Sequence, residues 1–309
     1  MQVKKAFILV NTGTPSELTR DGAERFLRTF LSDPEVISAP FFIRYPLARK
    51  IARERAGAYL ENLGKTAVDG RPRLRVLCAA LASKIAEMTA VDTYAAYRYG
   101  AESVADAIKA ARANGAKDMR FVPMFPQSAS ATTLSIRREV FAHRREGEIF
   151  RFRESYFDDD MYISLLAKSL TKYADGSLPT IASFHSIPVS QDSRTNYSAQ
   201  CARTVELLRE RSGFADISVA WQSRTGGWVK WLAPELESEL LRIAEGGAKG
   251  VNVIAPGFAC DCTETCIEID ETCRAIFRGA GGAVFRYVPC LDDSAEHAVM
   301  FSEIFEKMK

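Results

Sequence analysis

A chain of 309 residues that is 47% apolar and 26% charged can build the cores of two ordinary domains and lies far from disordered composition. Its 41 basic and 39 acidic side chains leave a net charge of +2, so bulk charge gives no footprint for nucleic acid or for an anionic membrane. No apolar run reaches the length of a membrane span. Residues 1–11 read as a first strand and not as a signal peptide, so the seven cysteines are expected as reduced thiols in the cytoplasm.

In chain order, residues 6–11, 94–99, 119–124 and 149–153 read as short apolar or β-rich strands, followed by 180–184, 217–221, 251–255 and 283–288. Helical spacing lies between most of them. Ala23, Phe26, Leu27 and Phe30 follow the i, i+3, i+4, i+7 rule, and 104–111, 162–173, 201–208, 236–243 and 295–308 continue the pattern. Strand–helix alternation predicts parallel sheets covered by helices. Eight strands over this length fit two doubly wound, Rossmann-like α/β domains. Residues 1–150 are expected to form the first and 151–294 the second, with the final helix, 295–309, packing back on the first. Residues 121–127 and 253–258 each end a strand at a proline-containing turn, where such sheets place their binding crevices.

The richest chemistry lies in Pro256-Gly-Phe-Ala-Cys-Asp-Cys-Thr-Glu-Thr-Cys-Ile-Glu-Ile-Asp-Glu-Thr-Cys273. At about 100° per residue, Glu264, Glu268 and Glu271 fall on one stripe of an α-helix. A solvated face is the commoner reason for such a stripe; the sharper one is a carboxylate ladder that handles metal ions or protons. The chain holds only three histidines. His185 ends an apolar strand just before a proline turn, at the carboxyl edge where α/β sheets bind ligands, although a lone histidine there is more often structural than catalytic. His143 and His297 read as surface residues.

These segments together resemble the ferrochelatase family over nearly the whole chain. Ile8-Leu-Val-Asn-Thr-Gly-Thr-Pro15 and Phe30-Leu-Ser-Asp-Pro-Glu-Val-Ile37 are similar to its N-terminal signature, and Phe125-Pro-Gln127 with Thr132 to its proline–glutamine loop. Ser183-Phe-His-Ser-Ile-Pro188 resembles the segment carrying the family's histidine. Trp221-Gln-Ser-Arg224 and Trp231-Leu-Ala-Pro234 are similar to another block, and the segment from Pro256 resembles the proteobacterial branch. The resemblance implies a chelatase-like pair of domains with the active site in the cleft between them, inserting Fe²⁺ into protoporphyrin IX to make haem. It implies His185 and Glu264 as the catalytic and metal-contacting pair. Thr12, Arg98, Tyr197, Asp261, Glu268 and Glu271 are implied as porphyrin or cleft contacts. Fe²⁺ is then a substrate, and no tightly bound organic cofactor is expected. The same reading implies a monomer without nucleic-acid partners, and allows transient contact with a membrane or with the enzyme that supplies the porphyrin.

The chain departs from the family pattern in places. Thr12 stands where some members carry Met, Leu or Tyr, and the missing tyrosine points to protoporphyrin IX over coproporphyrin. Gly-Asp-x-Tyr appears as Arg194-Thr-Asn-Tyr197, Gly-Gly-Ser-Pro as Asp69-Gly-Arg-Pro72, and the spacing from Arg224 to Trp231 is one residue longer. Cys260, Cys262, Cys266 and Cys273 invite a [2Fe–2S] reading. In a continuous α-helix, however, Cys262 and Cys273 would lie about 16 Å apart, so only Cys260, Cys262 and Cys266 with a distant partner (Cys201 or Cys290) could share a cluster, and small buried thiols are the expected alternative. Rival functions are a coproporphyrin or cobalt chelatase of the same fold and a non-catalytic tetrapyrrole-binding protein. A nucleotide-binding reading is weaker, because Asn11-Thr-Gly-Thr-Pro15 lacks phosphate-loop glycine spacing.

Overall fold

The computed structural model describes residues 3–224 and 229–308. Residues 225–228, inside the longer spacing between Arg224 and Trp231, lie outside the described residues. All eight expected strands form: β1 (Lys5–Thr14), β2 (Asp92–Gly100), β3 (Asp118–Pro123), β4 (Ile149–Phe152), β5 (Thr180–His185), β6 (Ile217–Gln222), β7 (Gly250–Ile254) and β8 (Val284–Val288). They build two four-stranded sheets of order β2-β1-β3-β4 and β6-β5-β7-β8, and every pairing is parallel. The chain divides into two units: Met1–Met124, Ser130–Ser155 and Asp293–Lys309 form one, and Phe125–Ala129 with Tyr156–Asp292 the other.

In the first unit β1 is buried on both faces, which is why residues 6–10 are uninterrupted hydrophobics with no polar alternation. Gly13 of the opening motif has φ of 116° and sits opposite Tyr99; a Cβ there would overlap the Tyr99 carbonyl oxygen, so only glycine lets β1 and β2 stay paired to their ends. Helices Phe41–Thr66 and Arg73–Thr89 fill a stretch for which the sequence reading offered no element. The first buries only Ala48, Ala52, Ala56 and Leu63, an alanine row too small to register as an apolar stripe. Among the described residues no helix is long and apolar enough to cross a membrane. The last helix, Ala295–Lys307, packs against Arg73–Thr89, with Phe305 set 5.1 Å from the ring of Phe7 and its carbonyl accepting from Arg120 Nη1 at 2.5 Å. This docking corrects the surface reading of His297. Its first-turn position faces inward, its ring lies 4.8 Å from Phe301, and it is fully buried.

The second unit repeats the plan. β5 is enclosed from Thr180 to Phe184, and Ile181, Val251, Val253, Phe277 and Phe285 pack into one core with Ile269 and Cys273 from the acid-rich helix. That helix is the main difference from expectation: Glu264–Cys273 is π-helical and passes into α-helix Arg274–Gly279. Its hydrogen bonds close at i→i+5, giving more than four residues per turn in place of 3.6. Glu268 therefore still stands close to one turn beyond Glu264, but Glu271 is carried about one and a half turns on and away from it. The single α-helical stripe of three glutamates does not exist. A shorter π-helical segment, Ser130–Leu134, follows β3, which holds the place in its sheet that β7 holds in the other.

Candidate active site

Parallel strands converge on the functional residues at their carboxyl ends. Along β5, His185 is the first exposed side chain after five buried ones. It pairs in register with Gln222 of β6, whose backbone carbonyl accepts from the Ser186 amide at 2.8 Å and whose side-chain oxygen accepts from Ser183 Oγ at 2.7 Å. The ring is oriented by its own neighbour: His185 Nδ1 lies 2.8 Å from the Ser186 carbonyl oxygen. A carbonyl can only accept, so Nδ1 carries the proton and Nε2 is left with the lone pair. Tyr197, at the start of helix Tyr197–Ser212, donates its hydroxyl to the His185 carbonyl at 3.1 Å.

The acidic half of the site comes from the turn after β7 and the start of the π-helix. Glu264 Oε2 accepts from Cys262 Sγ at 3.0 Å, and Glu268 accepts from Ser223 Oγ. Ser223 follows β6 with φ of 61°, a left-handed conformation that a non-glycine residue adopts at a cost and that here turns its hydroxyl toward the acid pair. Crowding by protein raises the pKa of Glu268, and the charge of Glu264 adds to the rise. The Ser223 hydrogen bond and nearby His185 oppose it. His185, Glu264 and Glu268 thus share one electrostatic neighbourhood, which the charge of Glu237 also reaches.

Asp261 and Tyr197, expected as substrate contacts, are both buried and hydrogen-bonded within the protein. Asp261 is only 4% exposed and accepts from Thr265 Oγ1 at 2.9 Å and Tyr287 Oη at 2.6 Å, while its amide donates to Asp292 Oδ1 at 2.6 Å. Tyr197 is 5% exposed, and its hydroxyl is already committed. Ser223 and Cys262 contact the two glutamates directly; the sequence reading assigned Ser223 no role and Cys262 only that of a possible cluster ligand. Serine and cysteine are common types, and only the fold brings Ser223 beside a helix that starts some forty residues later. Among the described residues no three His, Cys, Asp or Glu side chains gather into a ready-made metal site.

Comparison with known proteins decides the family. The ferrochelatase family model matches residues 4–309. The chain is 37% identical to the ferrochelatase of Azoarcus sp. (strain BH72) over 308 residues, covering 94% of this chain and 84% of that one. It is 34% identical to that of Bordetella pertussis (strain Tohama I) over 304 residues, covering 93% and 83%. The chain belongs to the ferrochelatase family. It is therefore a metal-insertion enzyme of haem biosynthesis, with iron as its metal substrate. SirB from Bacillus subtilis, solved with Fe³⁺, superimposes with a TM-score of 0.58 at 10% identity, covering 99% of this chain and 96% of that one, so the chelatase fold is shared well beyond sequence similarity.

Two residues implied by the family resemblance lie in the first unit. Thr12 is half-buried near the end of β1, its amide donating to Asn11 Oδ1 at 2.7 Å. Arg98 is fixed in a buried ion-pair hub: Nη2 reaches Asp33 Oδ2 at 2.9 Å, Nε reaches Ser135 Oγ at 2.9 Å and Nη1 reaches Glu139 at 3.2 Å. Tyr99, Ser135 and Arg138 also donate to Asp33, which is 5% exposed. The motif at residues 30–37 and Arg98 meet in this hub. A depression of about 350 Å³ opens there, lined by Arg28, Asp33, Tyr45, Arg98 and Arg138 among others. Burial alone would raise the Asp33 pKa, but the Glu35 amide and the hydrogen bonds from Arg138, Ser135 and Tyr99 outweigh it and hold the carboxyl at about 2. Removing its charge leaves Arg138 with Glu35 and Arg98 with Glu139 as their remaining acid partners, so Asp33→Asn is expected to cost about 3 kcal/mol by denaturant titration at pH 7. Because the folded value lies below the ordinary 3.8, the hub's contribution is complete above pH 3.8 and fades as pH falls through about 2. The wild-type advantage over Asp33→Asn should shrink across that window.

Proposed function

We propose that this enzyme inserts Fe²⁺ into protoporphyrin IX through His185 and Glu264. One observation carries the reading: the Nδ1–H of His185 is spent on the Ser186 carbonyl, so Nε2 offers its lone pair at the sheet's carboxyl edge, near the Glu264–Glu268 pair. Metal insertion releases two pyrrole N–H protons as two further nitrogens bind iron. Nε2 has one lone pair and can hold either Fe²⁺ or a proton, so it serves the two at different moments. One proton passes to Nε2. The other has the Glu264–Glu268 pair as acceptor, because crowding and Glu264 raise the proton affinity of Glu268. Glu264 offers its Oε1 to the incoming ion. These steps use no iron–sulfur cluster: Cys260 and Cys262 are buried, and the Cys262 thiol is engaged with Glu264.

Anaerobic incubation with Fe²⁺ and protoporphyrin IX, read by the haem spectrum, tests the pair. His185→Ala should lower kcat at least about 100-fold while porphyrin still quenches tryptophan fluorescence. Glu264→Gln should lower it well below Glu268→Gln, and Glu271→Gln should stay close to wild type, since the π-helix turns Glu271 away. Wild-type turnover by a folded His185→Ala protein overturns the assignment.

Thr12 supports protoporphyrin IX as the substrate, because β1 carries a threonine where the tyrosine that goes with coproporphyrin would stand. Parallel kinetics should give a higher kcat/KM for protoporphyrin IX than for coproporphyrin III, and the reverse order refutes the choice.

A monomer working in the cytoplasm, without a tightly bound organic cofactor, completes the reading, together with transient contact at an anionic lipid surface. Phe41, Phe42, Ile43, Tyr45 and Leu47 are exposed at the start of helix Phe41–Thr66, and Arg49, Lys50, Arg53 and Arg55 follow on its surface. Apolar side chains flanked by cations match a headgroup boundary. Vesicles of phosphatidylglycerol should retain the protein in flotation and phosphatidylcholine vesicles should not, while F41S/F42S should abolish retention. Equal behaviour of the double variant refutes the contact.

A further inference from the structure

We infer that Cys262 is a positioning residue for metal delivery, its thiol fixing which oxygen of Glu264 is free to meet Fe²⁺. This rests on the proposed role of Glu264. Cys262 Sγ lies 3.0 Å from Glu264 Oε2, and a carboxylate can only accept, so the S–H donates. One lone pair of Oε2 is thereby taken, which leaves Oε1 the more open oxygen. A carboxylate oriented in this way favours binding an ion through that oxygen. That suits a site that must release its metal to a macrocycle, whereas two-oxygen binding would retain it.

The thiol can hold this orientation because everything around it is anchored. Cys262 is 8% exposed. Its amide donates to Thr265 Oγ1 at 2.9 Å, and its carbonyl accepts from the Cys266 amide at 3.0 Å. Thr265 donates in turn to Asp261 at 2.9 Å, which is gripped by Tyr287 at 2.6 Å and through its amide by Asp292 at 2.6 Å. The chain Asp292–Asp261–Thr265–Cys262–Glu264 thus runs from the turn after β8 to the first residue of the π-helix, and gives buried Asp261 a purpose other than touching substrate. A cysteine suits the position: its S–H is a weak donor that orients the carboxylate without competing strongly for its charge.

The test compares Cys262→Ala and Cys262→Ser, each alone and combined with Glu264→Gln, by anaerobic steady-state kinetics. Cys262→Ala is expected to lower kcat/KM for Fe²⁺ about tenfold while leaving KM for porphyrin within twofold. Cys262→Ser keeps a donor and should restore kcat/KM to within about threefold of wild type. In the Glu264→Gln background Cys262→Ala should add less than twofold. Equal impairment of the serine and alanine variants would assign the effect to packing and overturn the inference, as would full additivity with Glu264→Gln. If Glu264→Gln is defective while Cys262→Ala behaves as wild type, the inference about the thiol fails and the role of Glu264 stands. If Glu264→Gln itself behaves as wild type, that underlying role falls, and the inference with it. Should the alanine variant be too unstable to assay, Cys262→Val fills the volume without a donor and carries the same expectation.

Discussion

The second sheet is built from parallel strands whose central member is apolar on both faces. Burial of Thr180–Phe184 leaves no position along β5 where a polar side chain could meet solvent until the strand ends at His185. Because β5, β6 and β7 all run the same way, their carboxyl ends open on one edge. His185, Ser223 and the turn that leads to Glu264 are gathered there by pairing alone. The core therefore decides where the candidate site lies: Ile181, Val251 and Val253 are buried away from it, yet they set the register of the residues that form it.

Placing two carboxylates beside a histidine at such an edge works against simple stability. Crowding and mutual repulsion raise the proton affinity of Glu268, which Ser223 and His185 only partly offset. The raised proton affinity makes Glu268 a better proton acceptor than an isolated surface glutamate. The hub of the first unit works in the opposite sense. Asp33 is surrounded by donors and kept ionised, and it locks Arg98 and Tyr99 in place. The two units thus place carboxylates differently, one buried among donors as a fixed brace and the other at an exposed edge beside a second acid.

Much of this was legible in the residues. Alternating β-rich and 3.6-periodic segments revealed all eight strands, because parallel strands buried on both faces are continuous hydrophobic runs that end abruptly. The solitary histidine at a strand end was visible for the same reason. The long helix Phe41–Thr66 was not, since alanine spacing carries little apolar contrast, and His297 was misread because polar neighbours masked an inward-facing first turn. The acid-rich helix kept the residue types but not the geometry expected of it. Its sequence suits both helical forms, and the wider one is selected by packing of Ile269 and Cys273 into the core, information that no local pattern contains. Likewise Asp33, a single letter in a motif, acquires its meaning only when Arg98, Ser135 and Arg138 converge on it.

The π-helix also separates two demands that an α-helix would tie together. At one end Glu264 must face the sheet edge, and at the other Cys273 and Phe277 must face the core. In a segment wound with one extra residue per turn, the angle between those ends depends on the number of residues as well as on their identity. Removing one residue between Glu264 and Cys273 and tightening the winding toward the α form would turn the acidic end relative to the anchored end, with the apolar contacts preserved. Length, then, sets orientation in this stretch. An insertion or deletion there changes which carboxylate faces the sheet edge while every side chain in the core remains the same.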